Sequence, residues 1–371
     1  MLHPKTGEKT KDEDENEAPS TGSGQAGTHS LTHHSPTHHK SVSTATKRLP
    51  NQPHPPFSAE RVKALARETG FDLCGIASPQ IPGEEMARFR AWVDEGYHAK
   101  MASMARHREV RADPRLLMKE TRSIVCCAVL YNANLPKSTE CRTTGHVWIS
   151  RYAWGDDYHN ILRRMLAELA GRVAETCAPF DLRWRACVDT APLLERALAA
   201  RAGLGWIGKN GALIDTRLGS YLFLGELLVN LDLPPGEPVG DHCGECRLCM
   251  DACPGQAIVA PGIVDSRRCA SYLTIEHRGE FDEAARRAVT RNVFGCDICQ
   301  DVCPWNRKAP ATDRAGFLPR DGAFNPAIGE LAALDEAEFK KRFAGSPVPR
   351  CRYEGFRRNL AAVRDNAEAA K

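Results

Sequence analysis

Residues 243–254 read Cys-Gly-Glu-Cys-Arg-Leu-Cys-Met-Asp-Ala-Cys-Pro, with the cysteines separated by two, two and three residues and the last one followed by proline. In this spacing a tight loop brings three thiolates to three corners of one 4Fe–4S cubane. The fourth cysteine, before the proline, points towards a second cluster. A shorter array at Cys296, Cys299 and Cys303 also ends in a proline. Together the two arrays predict a module with two 4Fe–4S clusters.

The ligands of each cluster follow from counting cysteines. Two cubanes need eight thiolates, the arrays supply seven, and Cys269 is the one other cysteine between them. Crossed ligation of the kind found in two-cluster bacterial ferredoxins then divides the eight cysteines into two sets. We predict Cys243, Cys246, Cys249 and Cys303 for the first cluster, and Cys253, Cys269, Cys296 and Cys299 for the second.

The array could instead bind zinc, or hold clusters that are purely structural. Zinc also binds four cysteines, but zinc modules usually pair two short Cys-x-x-Cys knuckles and lack the third cysteine and the Cys-Pro. Purely structural clusters would not require a second cluster next to the first. Two adjacent clusters are hard to account for unless electrons pass between them, so the pattern favours electron transfer.

Composition indicates the cellular setting. The chain of 371 residues is 42% apolar and 26% charged, with a net charge of +3, which is typical of a soluble protein and too weak to imply nucleic-acid binding by itself. Its fifteen cysteines are an odd number, and no basic start is followed by an apolar segment, so we expect reduced thiols, no secretory signal and a cytoplasmic location. No run approaches the roughly 18 apolar residues of a membrane span.

The chain divides into four predicted parts. Residues 1–56 are rich in His, Ser and Thr, which is typical of a disordered tail. We predict an α/β (α+β) domain at 57–235 and the ferredoxin-like module at 236–312. The remaining residues, 313–371, are predicted to form a short C-terminal helical segment. Apolar periodicity in the domain predicts helices at 59–69, 84–95, 157–175 and 193–201, and strands at 71–77, 123–131, 182–188 and 221–230. Two further helices are predicted at 330–343 and 355–370.

Several segments together resemble a known family. Residues 150–159 read Ser-Arg-Tyr-Ala-Trp-Gly-Asp-Asp-Tyr-His, 188–192 read Val-Asp-Thr-Ala-Pro, and 205–211 read Gly-Trp-Ile-Gly-Lys-Asn-Gly. Gly-Glu-Leu follows at 225–227, Cys-Ala-Ser-Tyr-Leu-Thr-Ile-Glu at 269–276, and Gly-Cys-Asp-Ile-Cys-Gln-Asp-Val-Cys-Pro at 295–304. In this order, across residues 57–359, the segments resemble epoxyqueuosine reductases.

The resemblance implies a cobalamin domain joined to the two-cluster module, and an oxidoreductase that reduces the epoxide of epoxyqueuosine at the tRNA wobble position to queuosine. It implies cobalt without a lower histidine ligand. In agreement, the Asp-x-His at Asp157 lacks the glycine that follows in the common cobalamin motif. The implied partners are tRNA with a queuosine-type anticodon loop and a low-potential donor such as flavodoxin or ferredoxin. We expect a monomer that does not bind a membrane.

The family's proton donor is the aspartate of the Val-Asp-Thr-Ala-Pro segment, which matches Asp189. As an acid near neutral pH it would need a raised pKa, which we expect from burial against the corrin. The simpler alternative is that Asp189 caps a helix starting near Pro192.

Cofactor and tRNA contacts are predicted by motif position. For cobalamin we expect Arg111, Tyr152, Asp189, Lys209, Asn210, Leu213, Ser271 and Asp297, with the glycines of 205–211 allowing close approach of the ring or simply forming a tight turn. For tRNA phosphates the candidates are Arg106, Arg108, Arg111, Arg115, Arg278, Lys340, Lys341, Arg342, Arg350, Arg352, Arg357 and Arg358.

Two competing functions are also compatible with the sequence. One is a related corrinoid and iron–sulfur reductase of the reductive dehalogenase type, although such enzymes usually carry a twin-arginine signal that is not visible here. The other is a ferredoxin-like electron carrier joined to a binding domain. A carrier needs no proton donor, so replacing Asp189 would leave its function intact.

Overall fold

The computed structural model describes residues 57–141 and 143–369, and the predicted tail at 1–56 lies outside them. The α-helices α1–α13 are Ala59–Thr69, Gly83–Asp94, Ala102–Arg106, Arg108–Ala112, Tyr158–Cys177, Glu195–Arg201, Leu248–Asp251, Ala270–Ile275, Glu283–Val289, Ile298–Asp301, Ile328–Ala332, Glu336–Arg342 and Arg352–Ala369. The strands β1–β10 are Leu73–Ala77, Ser123–Leu130, Trp148–Ile149, Trp184–Cys187, Trp206–Ile207, Leu213–Ile214, Leu222–Val229, Ile258–Ala260, Ile263–Val264 and Asn292–Phe294.

A four-stranded sheet in the order β1-β2-β7-β4 forms the centre of the large domain, and every neighbouring pair in it is antiparallel. Strand β2 is buried along its whole length, which accounts for its continuous apolar sequence. The predicted class is α/β (α+β). Because the sheet is antiparallel, α+β is the term that describes it.

Helices cover both faces of the sheet. On one face Leu162 and Leu166 of α5 pack with Val62 of α1 against the inward side chains of β2 and β7. On the other face Leu198 of α6 packs against Ile124 and neighbouring residues of β2. The approach of α6 is close, because a Cβ at Gly75 would come within 2.1 Å of the carbonyl oxygen of Ala202. Because helices cover both faces of the sheet, a site can form only at the strand ends and in the loops that follow them.

A second hydrophobic core joins the three predicted parts of the described chain. Trp148 and Trp154 come from the large domain, Phe294 from the cysteine module, and Phe339 and Phe356 from the C-terminal segment, and all five are buried in one cluster. The parallel pairing of β3 with β10 adds backbone hydrogen bonds between domain and module. The module is thus held to the domain by ordinary packing and by strand pairing.

Helix boundaries differ from prediction mainly near the C-terminus. The single helix expected at 330–343 is two helices, α11 and α12, because Asp335 caps the start of α12 and forms a reciprocal capping box with Glu338. By contrast α1 matches the prediction residue for residue, between its N-cap Ser58 and the left-handed Gly70. Among the described residues, no helix is long and apolar enough to cross a bilayer.

Candidate active site and cluster sites

The first predicted set of cysteines meets at one cavity. The thiols of Cys243, Cys246, Cys249 and Cys303 all line a cavity of about 270 Å³, together with Lys209, Asn210, Ile214, His242, Pro304 and Trp305. Three of these cysteines come from the first array and one from the second. The structure thus brings together the crossed set expected for the first cluster.

The second set is brought together around Cys299. Burial raises the pKa of the Cys299 thiol well above its ordinary range, and the charges of Cys269 and Cys253 raise it further. The pKa of Cys296 is raised in the same way, first by burial and then by Cys299 and Cys269 among its neighbours. Cys269 directly precedes α8, so this helix positions the isolated eighth cysteine beside the second array.

The four thiols of the first set line a common cavity and do not converge on one point. A single zinc ion needs sulfurs that converge to about 2.3 Å from one point. Across 57–141 and 143–369, no group of three His, Cys, Asp or Glu side chains converges tightly enough to hold one metal ion. Instead, the first four thiols surround a cavity.

An aromatic wall flanks the first cluster cavity. The indole N–H of Trp206 donates to the Cys243 sulfur at 3.5 Å, and the Trp206 ring packs edge-to-face against Trp305 and His242. Hydrogen bonds to cluster sulfurs and exclusion of water both tune the reduction potential. Trp206 is therefore placed to influence the potential of that cluster.

Asp189 lies in the loop that follows β4, and its backbone adopts the left-handed region with φ of +52°. Its side chain is 50% exposed and accepts a hydrogen bond from Nε2 of His159 at 3.2 Å. The alternative role as a helix cap is excluded, because α6 begins at Glu195 and its N-cap position is occupied by Leu194. The carboxyl group of Asp189 is thus accessible to solvent and lies beside the imidazole of His159.

His159 links two carboxylates. Its Nδ1 lies 2.6 Å from Oδ1 of Asp157, and its ring stacks on Tyr158, which in turn stacks on Phe223. Burial alone would lower the pKa of His159, but the hydrogen bonds with Asp189 and Asp157 outweigh burial and raise it. A carboxylate–imidazole–carboxylate chain of this kind can store a proton on the imidazole.

The pKa of Asp189 differs from the sequence-based expectation. The hydrogen bond from His159 lowers it below its ordinary value and outweighs the opposing effect of burial, with further lowering from the charges of His159 and Arg350. The physical reason is that a cationic partner stabilises the carboxylate. The pair thus favours the carboxylate form of Asp189 and the imidazolium form of His159.

Three predicted cofactor residues retain unused or partly used polar groups. Arg111 is 6% exposed and donates to the carbonyls of Ser103 and His107, but its Nε has no partner among the described residues. Asn210 is 8% exposed and its Nδ2 likewise has none. Lys209 donates from Nζ to the carbonyl of Gly244 at the mouth of the cluster cavity.

The other predicted cofactor residues are less available. Asp297 is fully buried and accepts hydrogen bonds from Trp148, Ser150 and the backbone of Arg151, so its carboxylate joins domain to module. Leu213 is buried in β6, Ser271 lies in α8, and Tyr152 packs between Tyr158 and Phe294. These four are not gathered at the first cluster cavity.

The glycines of 205–211 differ in what the fold demands of them. A Cβ at Gly205 would lie 2.1 Å from the carbonyl oxygen of Ile214, and φ at that residue is +150°. A Cβ at Gly208 would meet the side chain of the same isoleucine. Close packing of β5 on β6 therefore requires glycine at 205, whereas the Ile214 side chain could move to admit a Cβ at 208.

Most of the predicted phosphate-binding residues already have partners. Ion pairs occupy Arg108, Arg115, Lys340, Arg342 and Arg350. Backbone carbonyls accept from Arg278, Arg357 and Arg358. Within the described ranges, the side chains of Arg106, Lys341 and Arg352 have no hydrogen bond or ion pair.

Sequence reasoning missed several residues of this site. The sequence places His159 in an incomplete Asp-x-His motif and at the end of the 150–159 segment, without giving it a role, and it does not single out Glu195 or Arg163. Arg163 donates to the hydroxyl of Thr190, next to Asp189. The helical spacing of α5 puts His159 and Arg163 on the same face, four residues apart, and this was the available signal.

A two-cluster cysteine module packed on an α+β domain, with a carboxylate–imidazole site at a strand end, defines an iron–sulfur oxidoreductase. Residues 242–306 match the family described as 4Fe-4S double cluster binding domain, and residues 111–190 match epoxyqueuosine reductase QueG. The epoxyqueuosine reductase of Xanthomonas campestris is 43% identical over 324 residues, which cover 86% of this chain and 90% of that protein. The epoxyqueuosine reductase of Escherichia coli is 40% identical over 310 residues, which cover 83% of this chain and 81% of that protein. The chain belongs to the epoxyqueuosine reductase family.

Solved structures of the family agree with the fold. An epoxyqueuosine reductase in complex with an epoxyqueuosine-modified tRNA-Tyr stem loop superposes with a TM-score of 0.75 at 30% identity, covering 84% of this chain and 82% of that one. The enzyme from Streptococcus thermophilus superposes with a TM-score of 0.72 at 30% identity, covering 83% and 80%. The Bacillus subtilis enzyme, solved with its catalytic aspartate loop swung out of the active site, superposes with a TM-score of 0.75 at 29% identity. This match covers 84% of this chain and 82% of that one.

Proposed function

We propose that this chain reduces epoxyqueuosine at the wobble position of tRNA to queuosine, with cobalamin and two 4Fe–4S clusters. The observation that carries the proposal is the presentation of the Asp189 carboxyl group beside His159, in a chain that also assembles two four-cysteine sets. An electron carrier would need the cysteines alone. A reductive deoxygenation needs a proton donor as well as the cysteines, and the Asp189–His159 pair at an exposed strand end provides one.

The balance of the reaction defines what the residues must do. Opening the epoxide and losing its oxygen as water consumes two electrons and two protons, and an alkene remains. The oxygen leaves as hydroxide unless it is protonated, so an acid within hydrogen-bond reach lowers the barrier. Asp189 is the proposed group at the oxygen, and His159, whose pKa is raised, is the proposed store that reprotonates it.

The cofactor proposal is supported by the unused donors of the site. Arg111 Nε and Asn210 Nδ2 are buried without partners in the described chain, and Lys209 stands at the adjacent cavity mouth, so these residues would hold polar groups of cobalamin. A bound, reduced cobalamin would supply a strong nucleophile for the epoxide carbon. The contribution of the protein is to orient the ring, exclude water and supply protons.

Binding of tRNA is proposed to rely on cations around Asp189. Arg163 reaches Thr190, and Arg350 is near enough to Asp189 for its charge to lower that pKa. Phosphate contacts from arginine position a nucleic acid without reading its sequence. The substrate base would have to turn out of the anticodon loop to reach the carboxyl group.

A complementation experiment tests the function. In a strain that lacks this gene and any second such enzyme, tRNA digests should contain epoxyqueuosine, and the intact gene should restore queuosine. Asp189→Ala should not restore it, while Asp181→Ala, at an exposed carboxylate elsewhere in the domain, should. Mature queuosine in the uncomplemented strain would reject the proposal, and full rescue by Asp189→Ala would reject the acid role.

A further inference from the structure

The large domain contributes a hydrogen-bond donor to a cysteine of the module. The indole N–H of Trp206 donates to the Cys243 sulfur at 3.5 Å, across 37 residues of sequence. Trp206 belongs to strand β5 of the large domain, whereas Cys243 opens the first cysteine array. An indole nitrogen can only donate, and Trp206 is 3% exposed, so water is not a ready alternative acceptor. The contact therefore joins the surroundings of the first cluster set to a different part of the fold.

Strand β5 fixes the direction of the indole. Successive side chains of a strand point to opposite faces, and here Trp206 is buried while Ile207 is 41% exposed. Trp206 is the register partner of Ile214 on β6, and glycine at 205 permits the close approach of the two strands. The backbone of this strand pair therefore holds the ring towards the cysteine array.

Aromatic residues next to the cysteines hold the ring from the module side. His242 directly precedes Cys243, and its ring lies 4.9 Å from that of Trp206 at an angle of 68°. Trp305 follows Cys303 by two residues, and its ring lies 5.1 Å away at 77°. Both are edge-to-face arrangements, which aromatic pairs prefer. Rotation of the indole away from the sulfur would break both contacts, so the donor is fixed in place.

The second cluster set receives a hydrogen bond of a different kind. The backbone N–H of Ala257 donates to the sulfur of Cys253 at 3.3 Å, four residues along the same loop. This donor belongs to the local backbone of the array. Trp206 is a side-chain donor from outside the arrays, so a single substitution can remove its N–H and leave the second set intact.

We propose that Trp206 raises the reduction potential of the first cluster through its hydrogen bond to the Cys243 sulfur. Reduction adds one electron to a 4Fe–4S cluster and makes the cysteine sulfurs more negative, while no bond breaks and the indole proton stays on its nitrogen. A hydrogen bond strengthens as its acceptor gains negative charge, so the N–H stabilises the reduced form more than the oxidised form. The electron comes from the low-potential flavodoxin or ferredoxin of the proposed function, and the inference rests on cluster binding by the first set.

The consequence for the proposed reaction concerns its electron supply. With Trp206 in place, the first set accepts electrons from a donor of less negative potential and passes them on with less driving force. Without the N–H the balance is reversed, so reduction by a given donor becomes less complete. Trp206 thus matches the module to its electron donor and touches neither the substrate nor Asp189.

Potentiometric titration of anaerobically purified protein, followed by EPR, tests the direction of the effect. Wild type should give two midpoints. In Trp206→Phe, which keeps an aromatic ring but has no N–H, the equilibrium constant for adding one electron to the first cluster should fall about threefold to tenfold, which lowers that midpoint by roughly 30–60 mV. The other midpoint should stay. The midpoint that moves should be the one that Cys269→Ser retains, because its second set is incomplete.

Trp305→Phe is the matched control, because it changes the ring beside Trp206 and leaves the N–H donor in place. An equal shift in Trp206→Phe and Trp305→Phe would show that packing or water entry sets the potential, and would overturn the proposal. An unchanged first midpoint in Trp206→Phe would overturn it as well. Trp184→Phe, at an exposed position on β4, should change neither midpoint.

A spectroscopic measurement identifies the donor directly. In wild type with ¹⁵N-labelled indoles, pulsed EPR of the reduced first cluster should detect a ¹⁵N coupling that Trp305→Phe keeps and Trp206→Phe loses. Absence of this coupling in iron-loaded wild type rejects the hydrogen bond and leaves the proposed function standing. Wild type that binds no iron rejects the cluster assignment and this inference together. If the coupling is present while Asp189→Ala remains active, the role of Trp206 stands and the acid role fails.

Discussion

The Nε2 atom of His159, at the start of α5, lies 3.2 Å from Oδ2 of Asp189 in the loop after β4, thirty residues later in the chain. The pair turns two ordinary residues into a proton site, because each stabilises the charged form of the other. It also has a direction. The carboxylate end is 50% exposed and the imidazole end 14%, so the carboxyl group of Asp189 is the end of the pair that faces solvent.

The first prediction concerns the pH window of this pair. The pKa of Asp189 is lowered, so its contribution to stability is present above the unfolded value and is lost as the pH falls through the folded one. The pKa of His159 is raised, so its contribution is lost as the pH rises through that value. His159→Gln should therefore cost at most about 1 kcal/mol, since Asp189 is half exposed, and only between these two limits.

Thermal unfolding of wild type and His159→Gln across the pH range measures this window. The two midpoints should converge at both acidic and alkaline ends. A difference that is constant with pH would show that His159 contributes through packing on Tyr158 and not through its charge.

The second prediction concerns the eighth cysteine. Cys269→Ser removes one ligand of the second cluster and leaves the first cavity untouched, so iron in anaerobically purified protein should fall by about half. Cys141→Ser, a partly exposed cysteine outside both sets, should retain full iron. Unchanged iron in Cys269→Ser would mean that another residue completes the second set.

Local patterns made the cysteine sets and most elements predictable. The first cluster set follows from spacing plus counting, and α1 from a periodicity that starts at a serine cap and ends at a glycine. The strand at 123–130 is visible because it is buried on both faces. In each case neighbours in sequence carry the information.

The residues around Asp189 were harder to predict because tertiary packing assembles them. His159 and Asp189 belong to different elements, and no spacing links them. Glu226 is one polar residue in an apolar strand, and nothing local shows that it is fully buried. Similarly, Asp297 resembles a cofactor ligand in the motif, whereas the fold surrounds it with donors from a distant loop.

The third prediction tests a buried arginine inside the large domain. Arg151 is 2% exposed, donates to the carbonyls of Ala133, Leu135 and Pro136, and lies over the Trp154 and Tyr221 rings. Arg151→Met would leave the buried carbonyl oxygen of Ala133 and the part-buried carbonyl oxygens of Leu135 and Pro136 without this donor, at about 3 kcal/mol in all.

Thermal unfolding at matched iron content should show the midpoint of Arg151→Met lowered by roughly 6 °C. Arg151→Lys should recover only part of the loss, because an ammonium cannot reproduce the planar fork of donors. Arg90→Met, at an exposed position, is the control. Equal midpoints for the Arg151 and Arg90 variants would show that the buried contacts of Arg151 do not stabilise the domain.

The last prediction uses two adjacent arginines of α5. Both Arg163 and Arg164 are exposed, but Arg163 reaches the hydroxyl of Thr190 beside Asp189. If tRNA docks over Asp189, Arg163→Ala should weaken binding of a queuosine-type stem loop and reduce the slope of log affinity against log salt by about 1. Arg164→Ala changes the same net charge on another face of the helix and should leave the slope unchanged. Equal losses would mean that net charge alone attracts the tRNA, and that the substrate does not approach along the Asp189 side of α5.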